Sequence, residues 1–310
     1  MTAGTTFHHE ALFYAGEGEF AERCRDFAEE GLERDEPVLV MVGSRKLDLL
    51  RHALGQRAEN VHFADMEVIG RNPARIIPEW GRFVSRQAGG GGMRGIGEPI
   101  WADRRPDELE ECQLHESLIN LAFASADSFR LVCPYDTAGL PAEVIAEARR
   151  SHPITSERGD PEPCGDYCGI DKAAAKFSEP LSEPPPDAFE MSVTLDGLRE
   201  ARGVVRRRAR LAGLRERADD FVIAVNEILS NSLHHAHEDG ELRIWNEPGG
   251  LVCEVRDHGL ILKPLIGREE PAAGQVGGQG LWLVNLVCDL VQVRSSEDGS
   301  TVRMKMSHAA

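Results

Sequence analysis

A proline-rich segment near the middle of the chain separates two regions with different sequence patterns. Residues 178–187 read Ser-Glu-Pro-Leu-Ser-Glu-Pro-Pro-Pro-Asp, and such a run favours an extended backbone that cannot bury a core. The 310 residues are enough for two domains that each bury a core of their own. We therefore predict an N-terminal domain over residues 7–154, a linker over residues 155–188 and a C-terminal domain over residues 189–308.

Strand-like and helix-like stretches alternate in the N-terminal region. Apolar runs predict strands over residues 10–14, 37–42, 61–65, 93–101 and 129–135. Amphipathic stretches predict helices over residues 20–34, 44–54, 73–87, 107–125 and 141–149, with Ser44 as an N-cap. Five strands interleaved with helices indicate an α/β fold with a parallel sheet covered by helices.

The C-terminal region combines the two kinds of element differently. We predict strands over residues 189–194, 241–246, 251–257, 290–295 and 300–306, and helices over residues 196–212, 218–235 and 281–286. The turn Pro-Gly-Gly at 248–250 joins the second and third of these strands into a hairpin. Helices confined to particular segments indicate an α+β sandwich in which one face of a sheet is covered.

Three polar residues lie on one side of the helix predicted over residues 218–235. Glu227, Asn231 and His235 follow one another at four-residue intervals, which places them on the same face. The amide oxygen of Asn231 is a suitable Mg²⁺ ligand, and a carboxylate one turn away can orient or deprotonate an attacking hydroxyl or water. Taken alone, this pattern is more typical of a solvated helix face.

Two glycine-containing segments follow this helix. Asp-His-Gly at 257–259 closes a predicted strand. The Asp can accept a hydrogen bond from an exocyclic amine and the Gly lets a flat ring approach, although the tripeptide is equally a turn signal. Gly-Gly-Gln-Gly-Leu at 277–281 precedes a helix whose free N–H groups can bind phosphate. A short glycine pattern is weak evidence by itself.

Order and spacing make the three segments specific in combination. Asn-Glu-Ile-Leu-Ser-Asn at 226–231, Arg-Asp-His-Gly at 256–259 and Gly-Gly-Gln-Gly-Leu at 277–281 resemble the N box and the two glycine boxes of the GHKL ATPases. The resemblance covers residues 189–306 and implies a Bergerat-type sandwich that binds ATP and Mg²⁺. It implies Glu227 as general base, Asn231 as Mg²⁺ ligand and Asp257 as adenine anchor. The nucleotide-binding residues that it implies are Asn231, His235, Asp257, Gly259, Gly278, Gly280 and Leu281.

The residues that precede the N box indicate which branch of this superfamily the C-terminal region resembles. A histidine kinase carries a phosphoacceptor His just upstream, yet residues 171–219 contain no histidine. A strand and a helix that lead directly into the N box resemble the anti-sigma-factor serine kinases. That resemblance implies a sigma factor and a STAS-type anti-anti-sigma protein as partners, the latter phosphorylated on Ser or Thr. A homodimer is left open.

The residues after Gly259 depart from the family pattern. Leu-Ile-Leu-Lys-Pro at 260–264 stands where the pattern continues to another glycine, so the predicted lid up to Gly277 begins apolar. This departure argues more for ATP binding than for rapid turnover. A non-catalytic switch, in which ATP only sets the conformation for partner binding, is therefore the alternative function.

The helix predicted over residues 196–212 carries a basic face. Leu198, Ala201, Val204, Val205 and Leu211 are predicted to point one way, and Arg199, Arg202, Arg206 and Arg210 the other way. A solvated surface is the simpler interpretation of the arginines. A docking face for an acidic partner is the alternative hypothesis.

The N-terminal region resembles the MEDS sensory domain, whose fold is similar to that of RecA. The resemblance rests on residues 8–14 (His-His-Glu-Ala-Leu-Phe-Tyr), 94–101 (Arg-Gly-Ile-Gly-Glu-Pro-Ile-Trp) and 133–136 (Cys-Pro-Tyr-Asp), and it spans residues 7–154. The loop Ala-Gly-Glu-Gly-Glu at 15–19 has two acidic groups and no lysine. A degenerate P-loop of this kind is not expected to hydrolyse ATP, so we expect a sensing role.

Cysteine and histidine residues in this region suggest further hypotheses. Cys164 and Cys168, with His152 nearby in sequence, fit a thiol-redox switch or half of a metal site, but their spacing is weak evidence. His8 and His9 begin a strand, and we interpret them as structural.

Charge and hydropathy limit the partners. A formal net charge of −17 argues against direct contact with nucleic acid. The N-terminus has no signal-peptide pattern, and the apolar run at 38–42 is too short to cross a membrane. We therefore expect a cytoplasmic protein that does not contact membranes, with its seven cysteines as reduced thiols.

Overall fold

A computed structural model describes residues 7–87, 91–126, 128–157, 159–235, 239–272 and 277–308. The chain divides into two compact units, Met1–Ala173 and Ala174–Ala310. Within the described ranges, no helix combines the length and apolar character that a membrane crossing requires.

The first unit is built on a seven-stranded sheet. Its strands are β1 (His8–Tyr14), β2 (Val38–Val42), β3 (Val61–Asp65), β4 (Met93–Gly97), β5 (Phe129–Asp136), β6 (Ile154–Ser156) and β7 (Glu162–Pro163). They lie in the order β3-β2-β4-β5-β1-β6-β7. All neighbours pair in parallel except β7, which is antiparallel to β6. The predicted parallel α/β sheet is thus confirmed, with one antiparallel edge strand added.

Helices connect these strands. They are α1 (Gly16–Glu33), α2 (Ser44–Leu54), α3 (Met66–Ile69), α4 (Ile76–Arg86), α5 (Pro106–Ala122) and α6 (Ala142–Ser151), with 3-10 turns at Gly55–Asn60 and Pro73–Arg75. A seventh helix, α7 (Asp171–Ser178), spans the division between the units.

The strand β2 shows why both faces of the sheet are covered. All five of its residues, Val-Leu-Val-Met-Val, are buried, and alternate residues of a strand face opposite sides. Phe20 of α1 and Leu50 of α2 join Val40 in one core cluster. The rings of Trp80 and Phe83 in α4 pack on Phe129 of β5. Each fully buried Leu or Phe in such a core contributes about 1.5–3 kcal/mol.

Several local predictions for the first unit are wrong. The N-cap of α2 is Gly43, while Ser44 is the first helical residue and its hydroxyl donates to Asp65 and to Glu67. The predicted strand at 93–101 ends at Gly97. The strands β6 and β7 were not predicted, because segments of three and two residues show no periodicity. Only Ala15 separates β1 from α1, so the hypothesis of a degenerate P-loop finds no support.

The second unit contains a five-stranded antiparallel sheet. Its strands are β8 (Phe189–Val193), β9 (Gly240–Glu247), β10 (Gly250–Asp257), β11 (Leu290–Ser296) and β12 (Gly299–Ser307), in the order β11-β12-β10-β9-β8. Three helices accompany them, α8 (Leu198–Leu211), α9 (Ala218–His235) and α10 (Gln279–Val287). The helix α9 packs against α8, α10 and β10. The predicted α+β organisation is confirmed, and α9 has the predicted bounds.

One residue of the predicted apolar stripe on α8 is misplaced. Ala201, Val204 and Val205 are buried as expected, but the side chain of Leu211 is 82% exposed. Leu211 is the last residue of α8, and α9 does not cover it there.

The face of the sheet that bears Glu254 is held by arginine residues. Arg303 donates to Glu254 Oε2 from Nε at 2.8 Å and from Nη2 at 2.6 Å. The same Nη2 donates to the carbonyl oxygen of Ser182 at 2.6 Å. Leu181, next to Ser182, is buried. Residues near 181–183 therefore lie on the face of the sheet that bears Glu254, which the sequence predicts to be uncovered.

Replacement of Gly95 tests the packing of the first unit. A Cβ at Gly95 would come within 2.7 Å of Trp80 Cζ3 and 2.9 Å of Leu131 Cδ1, and all three residues are buried. We expect Gly95→Ala to lower the free energy of unfolding by about 1–3 kcal/mol, because overpacking moves side chains off their rotamers. Urea-induced unfolding followed by circular dichroism measures the change.

The control for this substitution is Gly81→Ala. Gly81 lies inside α4, and a Cβ there would meet no atom within 4 Å. Alanine in the interior of a helix is more stable than glycine by about 0.5–1 kcal/mol. Equal effects of the two substitutions would contradict the proposed contact with Trp80.

Candidate functional site

The helix α9 carries Glu227 and Asn231, which are both half-buried. Its apolar face, which includes Phe221, Val225 and Leu229, is buried. That packing holds the rotation of the helix and therefore the direction in which Glu227 and Asn231 point. His235 is the last residue of α9, and its side chain lies outside the described part of the chain, so its role stays a prediction.

The N-terminus of α10 is formed by glycines with left-handed backbone angles. Gly277 has φ of +88°, and Gly278, the N-cap, has φ of +84°. Residues with a Cβ rarely adopt this region. The first intrahelical bond runs from the N–H of Trp282 to the carbonyl of Gly278, at 3.0 Å. The N-terminus of a helix presents backbone N–H groups and the positive end of the helix dipole, which makes such an end suitable for binding an anion.

The helices α9 and α10 approach each other closely at Gly280. A Cβ on Gly280 would lie 2.9 Å from Asn231 Nδ2 and 3.2 Å from Glu227 Oε2. The helix α10 also packs along α9. The structure therefore brings Glu227 and Asn231 of α9 together with the N-terminal end of α10, which lies far from them in sequence.

Asp257 lies at the end of β10, where its carboxylate is held by two donors. Its Oδ1 accepts hydrogen bonds from the N–H of Gly259 at 2.7 Å and from the hydroxyl of Ser300 at 2.9 Å. Both bonds end on the same oxygen, so Oδ2 is the oxygen left to accept a bond from a ligand. Within the described ranges, no hydrogen bond joins Asp257 to Glu227 or Asn231.

A pocket of about 300 Å³ lies beside Asp257. The segment around Leu181 and the ends of β10, β11 and β12 line it, and they include His258 and Ser300. Of the described residues that line it, none belongs to α9 or α10. The contact of Gly280 with Asn231 and Glu227 therefore lies outside this pocket.

Hydrogen bonds anchor the described part of the segment between Gly259 and Gly277. The N–H of Ile261 donates to Ser295 Oγ at 2.9 Å, and Asn285 Nδ2 donates to the carbonyl of Gly267 at 2.9 Å. The side chain of Leu262 is 82% exposed. Leu281, which is predicted to contact nucleotide, is buried. A Cβ added at Gly267 would lie 2.7 Å from the Cβ of Leu281.

Ser300 is a residue of the site that the sequence did not indicate. It faces Asp257 because β10 and β12 pair in antiparallel register, with Asp257 opposite Ser300. The two residues are 43 positions apart in sequence, and no motif indicates that they pair. A serine in an alternating strand gives no signal of its own.

The thiols proposed as a redox switch lie in the first unit. Cys164 and Cys168 are half-buried free thiols, and their Sγ atoms donate to the carbonyls of Arg149 and Asp166, each at 3.2 Å. His152 turns its ring towards His9, with ring centroids 4.0 Å apart. A redox role for the two cysteines stays a prediction.

Comparisons with known protein families agree with the two units. The family model of the MEthanogen/methylotroph, DcmR Sensory domain (MEDS) matches residues 8–153. The model of the histidine kinase-like ATPase domain matches residues 191–306. A search among curated proteins found no match. The chain therefore carries an N-terminal MEDS domain and a C-terminal histidine kinase-like ATPase domain.

Replacement of Gly280 tests the candidate site. ATPase domains of this kind bind ATP, and the methyl group in Gly280→Ala would push against Asn231 and Glu227. We expect the affinity for ATP to fall by about tenfold or more, which corresponds to ~1.4 kcal/mol. Isothermal titration calorimetry with ATP and Mg²⁺ measures the change.

Gly203→Ala is the matched control for this substitution. Gly203 lies within α8 and is exposed, and a Cβ there would meet no atom within 4 Å. Unchanged ATP binding by Gly280→Ala would show that the nucleotide does not depend on this contact.

Proposed function

We propose that this chain, a MEDS domain joined to a histidine kinase-like ATPase domain, is an anti-sigma-type regulator that phosphorylates a partner protein. The partner is an anti-anti-sigma protein of the STAS type, modified on Ser or Thr, and a sigma factor is the other partner. The observation that carries the proposal is the approach of Gly280 to Asn231 and Glu227. In this approach a carboxylate, a side-chain amide and a helix N-terminus lie close to one another.

Each residue has a chemical role in this proposal. The N–H groups at the start of α10 bind phosphate oxygens, and Asn231 holds Mg²⁺ through its amide oxygen. Mg²⁺ supplies neutralisation of the phosphate charge. Glu227 accepts the proton of the attacking Ser or Thr hydroxyl. Asp257 accepts a hydrogen bond from the exocyclic amine of adenine through Oδ2.

The basic face of α8 supports docking of an acidic partner. Arg199, Arg202 and Arg210 are exposed in a chain of formal net charge −17. Arg202 Nη1 donates to Asn226 Oδ1 at 3.1 Å, and Arg206 Nε donates to Asp219 at 2.8 Å. These bonds tie two of the arginines to α9, the helix that carries Glu227. A partner bound here would therefore contact the surface next to the phosphate-binding end.

A non-catalytic ATP-dependent switch is the second candidate. Leu260 and Leu262 are exposed, and the run at 260–264 lacks the further glycine of the family pattern. Apolar side chains that stay exposed fit a surface that a partner covers better than a lid that encloses phosphates. In this alternative, ATP changes the affinity for the partner and no phosphate is transferred.

Glu227→Ala distinguishes the two candidates. For a kinase, we expect phosphate transfer to a STAS-fold partner to fall at least about 100-fold, because the proton acceptor is removed. ATP affinity should change little, since Glu227 is proposed to contact the hydroxyl that attacks. Transfer of labelled phosphate from ATP is measured with the unmodified chain, with Glu227→Ala and with the exposed control Glu200→Ala.

The kinase and the switch predict different outcomes of this experiment. Transfer at an undiminished rate by Glu227→Ala would contradict the general-base role. ATP binding by the unmodified chain without any transfer would support the switch.

The docking face is tested by charge reversal. We expect Arg202→Glu with Arg206→Glu to weaken binding of the STAS-fold partner and to reduce the dependence of that binding on salt, because attraction between opposite charges is lost. Surface plasmon resonance at several salt concentrations measures both quantities. Arg215→Glu, an exposed arginine beyond α8, is the control, and equal effects of the two changes would argue against this face.

A further inference from the structure

Four side chains that can bind a metal ion meet in the interior of the first unit. His9 lies on β1, Glu116 on α5, Cys133 on β5, and His152 directly after α6. One ligand atom from each lies within 4.8 Å of all the others. The four residues are between 0 and 2% exposed.

The proton of the His9 ring is placed by Asn120. The amide nitrogen of Asn120 donates to the carbonyl of Glu116 at 3.2 Å and to that of Ser151 at 2.8 Å. The amide oxygen therefore faces His9 Nδ1, at 3.0 Å. Because that oxygen can only accept, Nδ1 carries the proton, and the neutral ring presents a lone pair at Nε2.

The ring of His152 has the same arrangement. Its Nδ1 lies 2.8 Å from the carbonyl oxygen of Ala148, which again can only accept. Its Nε2 has no hydrogen-bond partner among the described residues, although it is fully buried and lies 3.3 Å from Glu116 Oε2. Histidines that bind metals typically donate their other N–H to a carbonyl in this way.

The Nε2 atoms of both rings lie close to Glu116 Oε2. His9 Nε2 lies 3.2 Å from Glu116 Oε2 and 3.4 Å from Cys133 Sγ. The thiol proton can satisfy one of these contacts, but it leaves His152 Nε2 facing a carboxylate oxygen. Protonation of both rings would place two positive charges side by side, with the ring centroids 4.0 Å apart.

A single metal ion fits the spacing. Bond lengths to Zn²⁺ of about 2.0–2.3 Å and tetrahedral angles place ligand atoms roughly 3.3–3.8 Å apart. Three of the six separations, 3.2, 3.3 and 3.4 Å, are close to this range, and all six are within 4.8 Å. Two imidazole nitrogens, a sulfur and a carboxylate oxygen form a donor set suited to Zn²⁺ and related ions.

Charge balance supports the same assignment. The carboxylate of Glu116 and the thiolate of Cys133 together carry two negative charges, which a divalent ion neutralises. When the ion binds, the S–H bond of Cys133 breaks, the proton leaves to solvent, and a sulfur–metal bond forms. Buried charges are tolerated in proteins when they are paired or coordinate metals. We propose that His9, Glu116, Cys133 and His152 form a binding site for one divalent transition-metal ion of the Zn²⁺ class.

Cobalt titration tests this proposal. The full chain, free of nucleotide and stripped with a chelator, is titrated with Co²⁺. We expect one equivalent to bind, with the visible absorption of a tetrahedral site and a thiolate-to-cobalt charge-transfer band. Zn²⁺ should then displace Co²⁺ and abolish both signals. Failure of the unmodified chain to bind Co²⁺ or Zn²⁺ stoichiometrically would overturn the proposal, and this measurement needs no variant.

Variants locate the ion. Cys133→Ser should remove the charge-transfer band, and Asn120→Ala should weaken Co²⁺ binding by about 10–100-fold, because it releases the His9 ring. Two controls should keep the band: Cys112→Ser, a buried cysteine of α5 whose Sγ donates to Pro99, and Cys164→Ser combined with Cys168→Ser. A band that survives in Cys133→Ser, or that is lost only with Cys164 and Cys168, would show that the ion binds elsewhere.

Discussion

The missing side chain at Gly280 is the constraint on which the C-terminal site depends. Asn231 and Glu227 occupy the space in which a Cβ would stand, so the first turn of α10 can lie directly on α9. Left-handed angles at Gly277 and Gly278 turn the chain into α10 at this point. Three glycines thus determine the direction in which the N–H groups at the start of α10 point. The polar residues of α9 would otherwise face solvent, as they do on most amphipathic helices.

Periodicity in the sequence was sufficient for the larger elements and failed for the shorter ones. The apolar run of β2 and the amphipathic pattern of α9 each extend over enough residues to show a period, and both were predicted correctly. The two-residue strand β7 is stabilised by pairing with β6, which is a tertiary contact. Leu211 fits the stripe of α8 by period, yet the helix it should pack against does not reach it. Burial at a helix end depends on the neighbouring element, which periodicity does not report.

The same distinction explains which site residues could be found. Glu227 and Asn231 are four residues apart on one helix, so their spacing alone shows that they share a face. Ser300 contacts Asp257 only through strand register, and the cluster around His9 draws one residue from each of four separate segments. From the sequence we interpret His9 as structural, because a histidine in a strand with no partner in sequence does not indicate another role. A site whose residues lie in local motifs can be recognised from the sequence. A site whose residues are brought together by the order and register of distant segments can be recognised only in the structure.

Three other buried carboxylates of the chain show how a buried carboxylate can be paired with a positive charge. Glu98 lies 2.5 Å from the amine of Lys46, Asp289 lies 2.5 Å from Arg217, and Glu254 is bound by Arg303 at 2.6 Å. In each case a permanently charged base offsets the loss of hydration that burial imposes on a carboxylate. Glu116 is as deeply buried, and the basic groups in contact with its Oε2 are two imidazoles. A divalent ion would supply at Glu116 the positive charge that lysine and arginine supply at the other three carboxylates.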